Sequence, residues 1–132
     1  MKRTLFSLFS KTNGSLGKQG EQIAREYLER NGFSILATSY RNPEGRQLGE
    51  IDIIAKRDGA IVFVEVKTRT GKQEDTFPED NLTPSKLRKL EKIATHYLQA
   101  HQQTKNPYHF DAIAITLNGT TPSIRHFEHI FF

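Results

Sequence analysis

Two neighbouring segments with a turn signal between them constrain the fold of this chain more than any other feature. Residues 49–56 (GEIDIIAK) and 60–68 (AIVFVEVKT) are rich in β-branched side chains, and Asp58 and Gly59 lie between them. An Asp-Gly pair between two such runs is typical of a tight hairpin turn. We therefore predict that the two segments form an antiparallel β-hairpin, in which residues 60–68 give the strongest strand signal of the sequence.

The rest of the chain alternates between helical and strand patterns. Apolar residues recur at helical spacing over residues 17–31 and again after the Thr83-Pro84 pair. Threonine can cap that second helix, and proline is tolerated at the first helical position. Short strands are predicted over residues 33–38, 110–117 and 124–127. The resulting order, α-β-β-β-α-β-β, indicates a mixed sheet with helices packed on it in one α/β domain.

The positive charge of the chain is concentrated at its N-terminus. The formal net charge is +4, and Lys2, Arg3, Lys11 and Lys18 supply four charges before the first acidic residue. We predict a basic, flexible tail over residues 1–16 and a single domain over residues 17–132, which is long enough to bury one core. A basic protein often binds nucleic acid, but a charged tail alone does not identify a partner.

Several function classes lack the residues that they need. The chain has no cysteine, which excludes disulfide scaffolds, cysteine-ligated zinc, iron–sulfur clusters and thiol nucleophiles. No phosphate-binding glycine loop or serine-hydrolase motif occurs. No apolar run approaches the roughly 20 residues of a membrane helix, and no signal-peptide cleavage motif follows the start. We expect a cytoplasmic protein that does not enter a membrane.

The hairpin brings together residues that could carry chemistry. Alternation along residues 60–68 places Glu65 and Lys67 on one face, and pairing of the two strands places Asp52 beside Glu65. Adjacent carboxylates repel each other unless a cation lies between them, and Mg²⁺ or Mn²⁺ suits two carboxylates and water. Lys67 could then orient a water or stabilise a phosphate. The alternative is a solvent-facing pair of charges on a half-exposed hairpin.

Two helical residues extend this cluster. Glu21 lies at the margin of the apolar stripe of the first helix, where it can serve as a third carboxylate or simply favour the helix N-terminus. Lys86 lies within the apolar stripe of the second helix, in a first turn that disfavours cations, and this indicates a bound anion or a side chain that extends past the sheet. Lys89 adds to a basic flank that is commonly just a solvated face.

The histidines offer a rival interpretation. His126 and His129, together with His109, could bind a transition metal on the last strands. Without cysteine or a HExxH pattern, this signal is weak. The apolar end of the chain, residues 130–132, is a candidate interface for a homodimer.

The motifs together resemble a known family. Residues 17–21 (GKQGE), 49–54 (GEIDII) and 62–69 (VFVEVKTR) are similar to the YraN-type family. Its members are described as endonucleases of the restriction-endonuclease-like PD-(D/E)xK superfamily, similar to archaeal Holliday-junction resolvases. The resemblance implies an αβββαβ core with a mixed central sheet flanked by helices and a metal site at the sheet edge.

The resemblance also implies roles for single residues. Asp52 and Glu65 would bind Mg²⁺ or Mn²⁺, Glu21 would complete the site, and Lys67 would act on the water or the phosphate. Lys86 would match the basic position of the second helix. The proline that precedes the aspartate in the superfamily motif is replaced by isoleucine.

The strand after the second helix departs from the expected pattern. The resemblance implies a fixed acid at Asp111, and His109 stands where an arginine is expected before Phe110 and Asp111. The role of this position is therefore open.

The leading hypothesis is a metal-dependent endonuclease that hydrolyses phosphodiester bonds in DNA, with branched or structured DNA as candidate substrates. DNA is favoured over RNA, and Arg69, Lys86 and Lys89 would contact its phosphates. The alternative is a non-catalytic nucleic-acid-binding module on a nuclease-like fold. A third hypothesis is a protein-interaction scaffold, in which the charged side chains are simply part of the solvated surface.

Overall fold

The computed structural model describes residues 13–41, 49–71 and 83–130, and these ranges form two helices and five strands. Residues 1–12 of the predicted tail (residues 1–16) and the last two residues of the chain lie outside the described part. The elements in chain order are α1 (Asn13–Arg30), β1 (Ser34–Arg41), β2 (Glu50–Arg57), β3 (Ala60–Thr70), α2 (Pro84–Ala100), β4 (Tyr108–Asn118) and β5 (Thr121–Phe127). The predicted order of elements is confirmed. Helix α1 begins four residues earlier than predicted, and β3, β4 and β5 are longer.

The strands form one mixed sheet in the order β1-β2-β3-β4-β5. Strands β3 and β4 are parallel, and the other neighbouring pairs are antiparallel. A parallel pair needs a crossover connection, and α2 lies in the connection between β3 and β4. The predicted mixed sheet with flanking helices is therefore confirmed, and it fits an αβββαβ nuclease-like core.

The predicted hairpin forms at β2 and β3. Asp58 and Gly59 connect the strands with φ angles of 52° and 82°. Positive φ at both central residues is the signature of the turn that matches the twist of paired strands. Strand pairing runs from Arg57 with Ala60 to Ile53 with Val64. The turn therefore fixes the register of the hairpin up to the end at which Asp52 and Glu65 lie.

The two helices cover opposite faces of the sheet. Ala24 and Leu28 of α1 pack against Val62 and Val64 of β3. Residues of α2 pack against the alternate side chains of the same strand, Ile61 and Phe63 among them. Because alternate strand residues point to opposite faces, β3 is buried on both sides along its apolar half.

The start of α2 is fixed by its predicted cap. The Thr83 hydroxyl accepts a hydrogen bond of 3.1 Å from the Lys86 backbone N–H, and Pro84 occupies the first turn. Such a cap satisfies an N–H group that has no partner within the helix. In the described part of the chain, neither helix has the length and apolar character needed to cross a bilayer.

Candidate metal and nucleic-acid site

The hairpin brings two carboxyl groups to the place where its strands part. The last paired residues are Ile53 and Val64, so Asp52 and Glu65 follow them at the next positions of β2 and β3. Asp52 Oδ2 accepts a 2.7 Å hydrogen bond from the Val66 backbone N–H. This bond holds the Asp52 carboxyl group against β3 beyond the last paired residues.

Burial and neighbouring charges make both groups hard to ionise. The pKa of Asp52 is raised to about 7, chiefly by burial, and the Glu65 carboxylate is the strongest of the charges that contribute to this rise. The Val66 N–H opposes this effect, because it stabilises the charged form. Burial also raises the pKa of Glu65, while Lys86 and then Lys67 lower it. The pair is thus an acid cluster whose charge is only partly compensated by the protein.

Lys86 is the nearest cation to Glu65 among the described ion pairs. Its Nζ lies 3.6 Å from Glu65 Oε2, and its side chain is 44% exposed. The side chain therefore extends past the core to the site, where a carboxylate is its partner. The predicted bound anion at this helix end is not tested by this contact.

Helix α1 adds the third predicted carboxylate. Burial raises the pKa of Glu21, and the Glu50 carboxylate raises it further. Arg25 lowers it, as does a hydrogen bond from the Ser39 hydroxyl. Because Glu21 also raises the pKa of Asp52, the structure places it in the electrostatic field of the hairpin acids.

A close contact between α1 and β3 accompanies this placement. Gly20 is buried, and a Cβ atom at this position would lie 1.8 Å from Thr68 Oγ1 and 2.9 Å from Thr68 Cβ. A distance under 3.0 Å is impossible without movement. Only glycine therefore allows α1 to lie this close to β3, one residue before Glu21.

Sequence reasoning did not assign Glu50 to the site. Glu50 raises the pKa of Glu21, Asp52 and Glu65 and forms a 3.1 Å ion pair with Arg41. The sequence feature that could have indicated this role is its position two residues before Asp52 in the same predicted strand. Ser39 and Thr68 had no such signal, because their contacts join segments that are distant in the sequence.

A cleft opens beside the acids. Its volume is about 370 Å³, and its lining includes Glu50, Glu65, Thr83, Ser85, Lys86 and Lys89. Two predicted nucleic-acid contacts, Lys86 and Lys89, therefore share a cleft with a predicted metal ligand.

The other two predicted basic residues lie on β3. Lys67 is exposed and lowers the pKa of Glu65. Arg69 lies further along β3, half-buried, opposite Thr116 of β4.

Asp111 belongs to a different cluster. Its carboxyl group is 1% exposed, and it contacts His126 Nε2 at 2.7 Å, the His129 backbone N–H at 3.0 Å and His109 Nε2 at 3.4 Å. The acid implied by the resemblance is therefore fixed by protein groups. His109 stands beside it and stacks on His129, with ring centroids 3.8 Å apart. Burial lowers the pKa of His109 despite the nearby Asp111.

The described ranges 13–41, 49–71 and 83–130 contain no preformed metal site. Within them, no group of three or more histidine, aspartate or glutamate side chains is arranged to hold a metal ion. The rival interpretation of His109, His126 and His129 as a transition-metal site thus has no support, because His109 and His126 face Asp111 and His109 stacks on His129. For the carboxylate cluster, the same result leaves at most two protein ligands without rearrangement.

Comparison with known proteins identifies the family. Residues 20–115 match the model of "Uncharacterised protein family UPF0102". A UPF0102 protein of Geobacter metallireducens is 40% identical over 119 residues, which cover 90% of this chain and 93% of the relative. A UPF0102 protein of Herpetosiphon aurantiacus is 38% identical over 120 residues, covering 88% and 93%.

A third relative shows the same extent of similarity. The UPF0102 protein of Syntrophotalea carbinolica is 36% identical over 117 residues, or 89% of this chain and 91% of its own. These names state the family and no activity. The matched region contains both hairpin acids, the glutamate of α1 and the lysine of α2. The chain therefore belongs to the UPF0102 family, the YraN-type family that its motifs resemble.

Proposed function

We propose that this protein is a metal-dependent endonuclease that hydrolyses phosphodiester bonds in DNA, including branched or structured DNA. One observation carries the proposal: Asp52 and Glu65 follow the last paired residues of the hairpin, both are partly buried, and the pKa of Asp52 is raised to about 7, with Glu65 as the strongest charge that raises it. Such a pair is destabilising as two anions, and a divalent cation would remove that cost. The resemblance to described endonucleases supports the same role.

The donor set suits magnesium or manganese. The Val66 backbone N–H already donates a hydrogen bond to Asp52 Oδ2. Asp52 Oδ1 and the Glu65 carboxylate would therefore hold the ion, with Glu21 as the third carboxylate. Mg²⁺ keeps several waters and commonly takes only one or two carboxylates besides substrate phosphates. Two protein ligands are therefore sufficient. When bound, the ion would supply a water with a lowered pKa and would polarise a phosphate oxygen.

The side chains around the acids have complementary roles in this proposal. Lys67 is exposed beside Glu65 and would donate to the attacking water or to a phosphate oxygen. Lys86 and Lys89 line the cleft and would hold the DNA backbone, together with Arg69 of β3. Contacts of this kind position the strand without reading its sequence.

A second candidate function is supported by the Lys86 contact. A lysine 3.6 Å from Glu65 already supplies a positive charge to the cluster. If that charge alone stabilises Glu65, the protein would be a non-catalytic nucleic-acid-binding module. Such a module would bind DNA in a salt-dependent manner and would not respond to Mg²⁺.

Cleavage assays separate the two candidates. Single-stranded, duplex, flapped and four-way-branched DNA, and a matched RNA, would be incubated with Mg²⁺, Mn²⁺ or a chelator. For a nuclease we expect metal-dependent cutting that Asp52→Ala reduces by at least about 100-fold while DNA binding is kept. Lys67→Ala should reduce cutting by a similar factor.

A matched control comes from the aspartate in the turn of the same hairpin. Asp58→Ala removes an exposed carboxylate from the turn at the opposite end of the same hairpin, and it should leave cutting unchanged. Binding without cutting in wild type and in all variants would favour the non-catalytic module. Full activity of Asp52→Ala would exclude the proposed metal site.

A further inference from the structure

The sheet face on the side of α2 changes character along its length. Beneath the helix the face is apolar, because Ile61 and Phe63 of β3 belong to the core cluster beside α2. Strand side chains alternate between faces, so Lys67 and Arg69 of the same strand also point to this face. The apolar half of β3 therefore continues into a charged half, which begins at Glu65.

The strand register extends this charged half across β4 to β5. Residues that pair directly in neighbouring strands share a face of the sheet. Two adjacent rows of such residues are, from β3 to β5, Lys67, Ala114 and Arg125 in the row nearer to the acids, and Arg69, Thr116 and Ser123 in the next row. We call these two rows the β3–β5 strip.

The strip is low in the middle and basic at both sides. Ala114 and Thr116 have short, half-buried side chains, whereas Lys67 and Arg125 on either side are exposed. Strands β3 and β5 are two strand spacings apart, which is about 10 Å. Long basic side chains thus border a shallow floor on β4.

The charge of this face suits a polyanion. Positions 65, 67 and 69 of β3 and their partners on β4 and β5 include three cations, Lys67, Arg69 and Arg125, and one acid, Glu65. Because that acid is the proposed metal ligand, the strip begins one row from the proposed metal site. The phosphates of a nucleic acid are the polyanion that such a site acts on.

An aromatic ring lies at the outer side of the same face. Phe127 pairs with Ala112, which in turn pairs with Glu65. The Arg125 guanidinium lies over this ring, 4.9 Å from its centroid. Proteins that hold single strands combine a basic groove with aromatic rings or guanidinium planes on which bases stack. Because a duplex keeps its base faces within its own stack, this combination favours a single strand.

We propose that the β3–β5 strip binds one single strand of DNA, with Arg125 as a phosphate contact that neither the motifs nor the family match assigns. The strand would lie along β4, between Arg125 on one side and Lys67 and Arg69 on the other, and would lead to Glu65. The proposal deepens the proposed nuclease function and rests on it. It identifies a flap or an unpaired arm of branched DNA as the substrate.

Binding is measured without metal, so that it does not depend on cleavage. The fluorescence anisotropy of a labelled oligothymidine, and of a blunt duplex with the same number of phosphates, would be recorded with a chelator at several salt concentrations. We expect wild type to bind the single strand more tightly than the duplex. Arg125→Ala should weaken single-strand binding by about tenfold at low salt.

The salt dependence separates a phosphate contact from a structural effect. Arg125→Ala should reduce the slope of log affinity against log salt concentration by about 0.7, the contribution of one phosphate contact to a single strand. Arg125→Lys keeps the charge and should keep the slope.

A second variant tests the floor of the strip. Ala114→Glu places a carboxylate between the basic borders, and we expect it to weaken single-strand binding more than Arg125→Ala does. Arg30→Ala is the matched control, because it removes an exposed arginine from the last turn of α1, on the other side of the sheet. It should leave the affinity and the salt slope unchanged.

The outcomes distinguish the strip from the nuclease proposal. Wild-type affinity and salt slope in both Arg125→Ala and Ala114→Glu would overturn the strip, and metal-dependent cutting by the same variants would leave the nuclease proposal standing. Tighter binding of wild type to the duplex would overturn the choice of a single strand. Single-strand binding that depends on Arg125, in a protein that cuts no DNA, would support the strip and count against the nuclease.

Discussion

Asp52 and Asp111 are acids of the same sheet, but their surroundings are opposite. Asp111 is fully buried and is surrounded by groups that can donate to it: two histidine rings and the His129 backbone N–H. Asp52 is partly buried and, in the described part of the chain, accepts a hydrogen bond from the Val66 N–H, while its other neighbours include the Glu65 and Glu21 carboxylates. The two acids therefore differ in burial and, above all, in the charge of their partners.

This difference indicates which of the two acids contributes to the stability of the fold. The groups around Asp111 connect β4 to the end of β5 and to the chain beyond it, so this acid stabilises the fold. Asp52 raises the free energy of the folded protein when it is ionised, and none of the groups of the described residues that shift its pKa most is a cation. A costly group of this kind is typical of a functional site. Three predictions test the contrast, from the largest expected effect to the smallest.

Removing Asp111 should destabilise the fold strongly. In Asp111→Ala, His126 and the His129 N–H lose a buried acceptor, and leaving such donors without a partner costs about 1–3 kcal/mol each. We expect the free energy of unfolding to fall by about 3–5 kcal/mol in urea titrations. If stability is unchanged, the contrast between a structural and a functional acid fails. Asp52→Asn is the comparison variant, because it changes the partly buried acid of the hairpin in the same sheet.

The metal-free protein should lose stability as pH rises. The pKa of Asp52 is about 7 in the folded protein and near 3.8 when the chain unfolds. The contribution of Asp52 to stability is therefore fully present below about pH 4 and is lost as pH rises through 7. The stability of Asp52→Asn relative to wild type should rise by about 2–3 kcal/mol between pH 5 and pH 8.

Thermal unfolding across this pH range, with a chelator and with Mg²⁺, would measure the effect. Comparing wild type with Asp52→Asn cancels the contributions of titrating groups that are distant from Asp52, so the difference reports Asp52 and the acids that interact with it. Addition of Mg²⁺ should reduce the gap at pH 8, because the ion stabilises the ionised carboxylates of wild type only. A gap that is the same at pH 5 and pH 8 would argue against a raised pKa at Asp52.

The smallest expected effect concerns the contact that brings α1 to the acids. Gly20→Ala would place Cβ against Thr68, and forced repacking of this kind costs about 1–3 kcal/mol. Thr68→Ala in the same chain removes the Oγ1 and Cγ2 atoms that Cβ would meet, so it should restore part of the stability. Urea titrations of the two single variants and the double variant measure this coupling. Gly17→Ala is the control, because a Cβ there meets nothing within 4 Å.

The hairpin and the helix cap were readable from the sequence because their causes are local. Asp58-Gly59 and the flanking β-branched residues determine the turn, and the turn determines the register that brings Asp52 and Glu65 to the same end of the hairpin. The cap of α2 likewise depends on Thr83 and a backbone N–H three residues later. Both follow from neighbours within a few positions.

The sequence alone thus determined the order of elements, the central hairpin and the pair of acids that it presents. Only the tertiary structure decided what surrounds each acid. The close approach of Gly20 joins α1 to β3, and Asp111 finds its partners at the end of β5 and just beyond it. Such contacts join residues far apart in the chain, and neither periodicity nor spacing in the sequence records them.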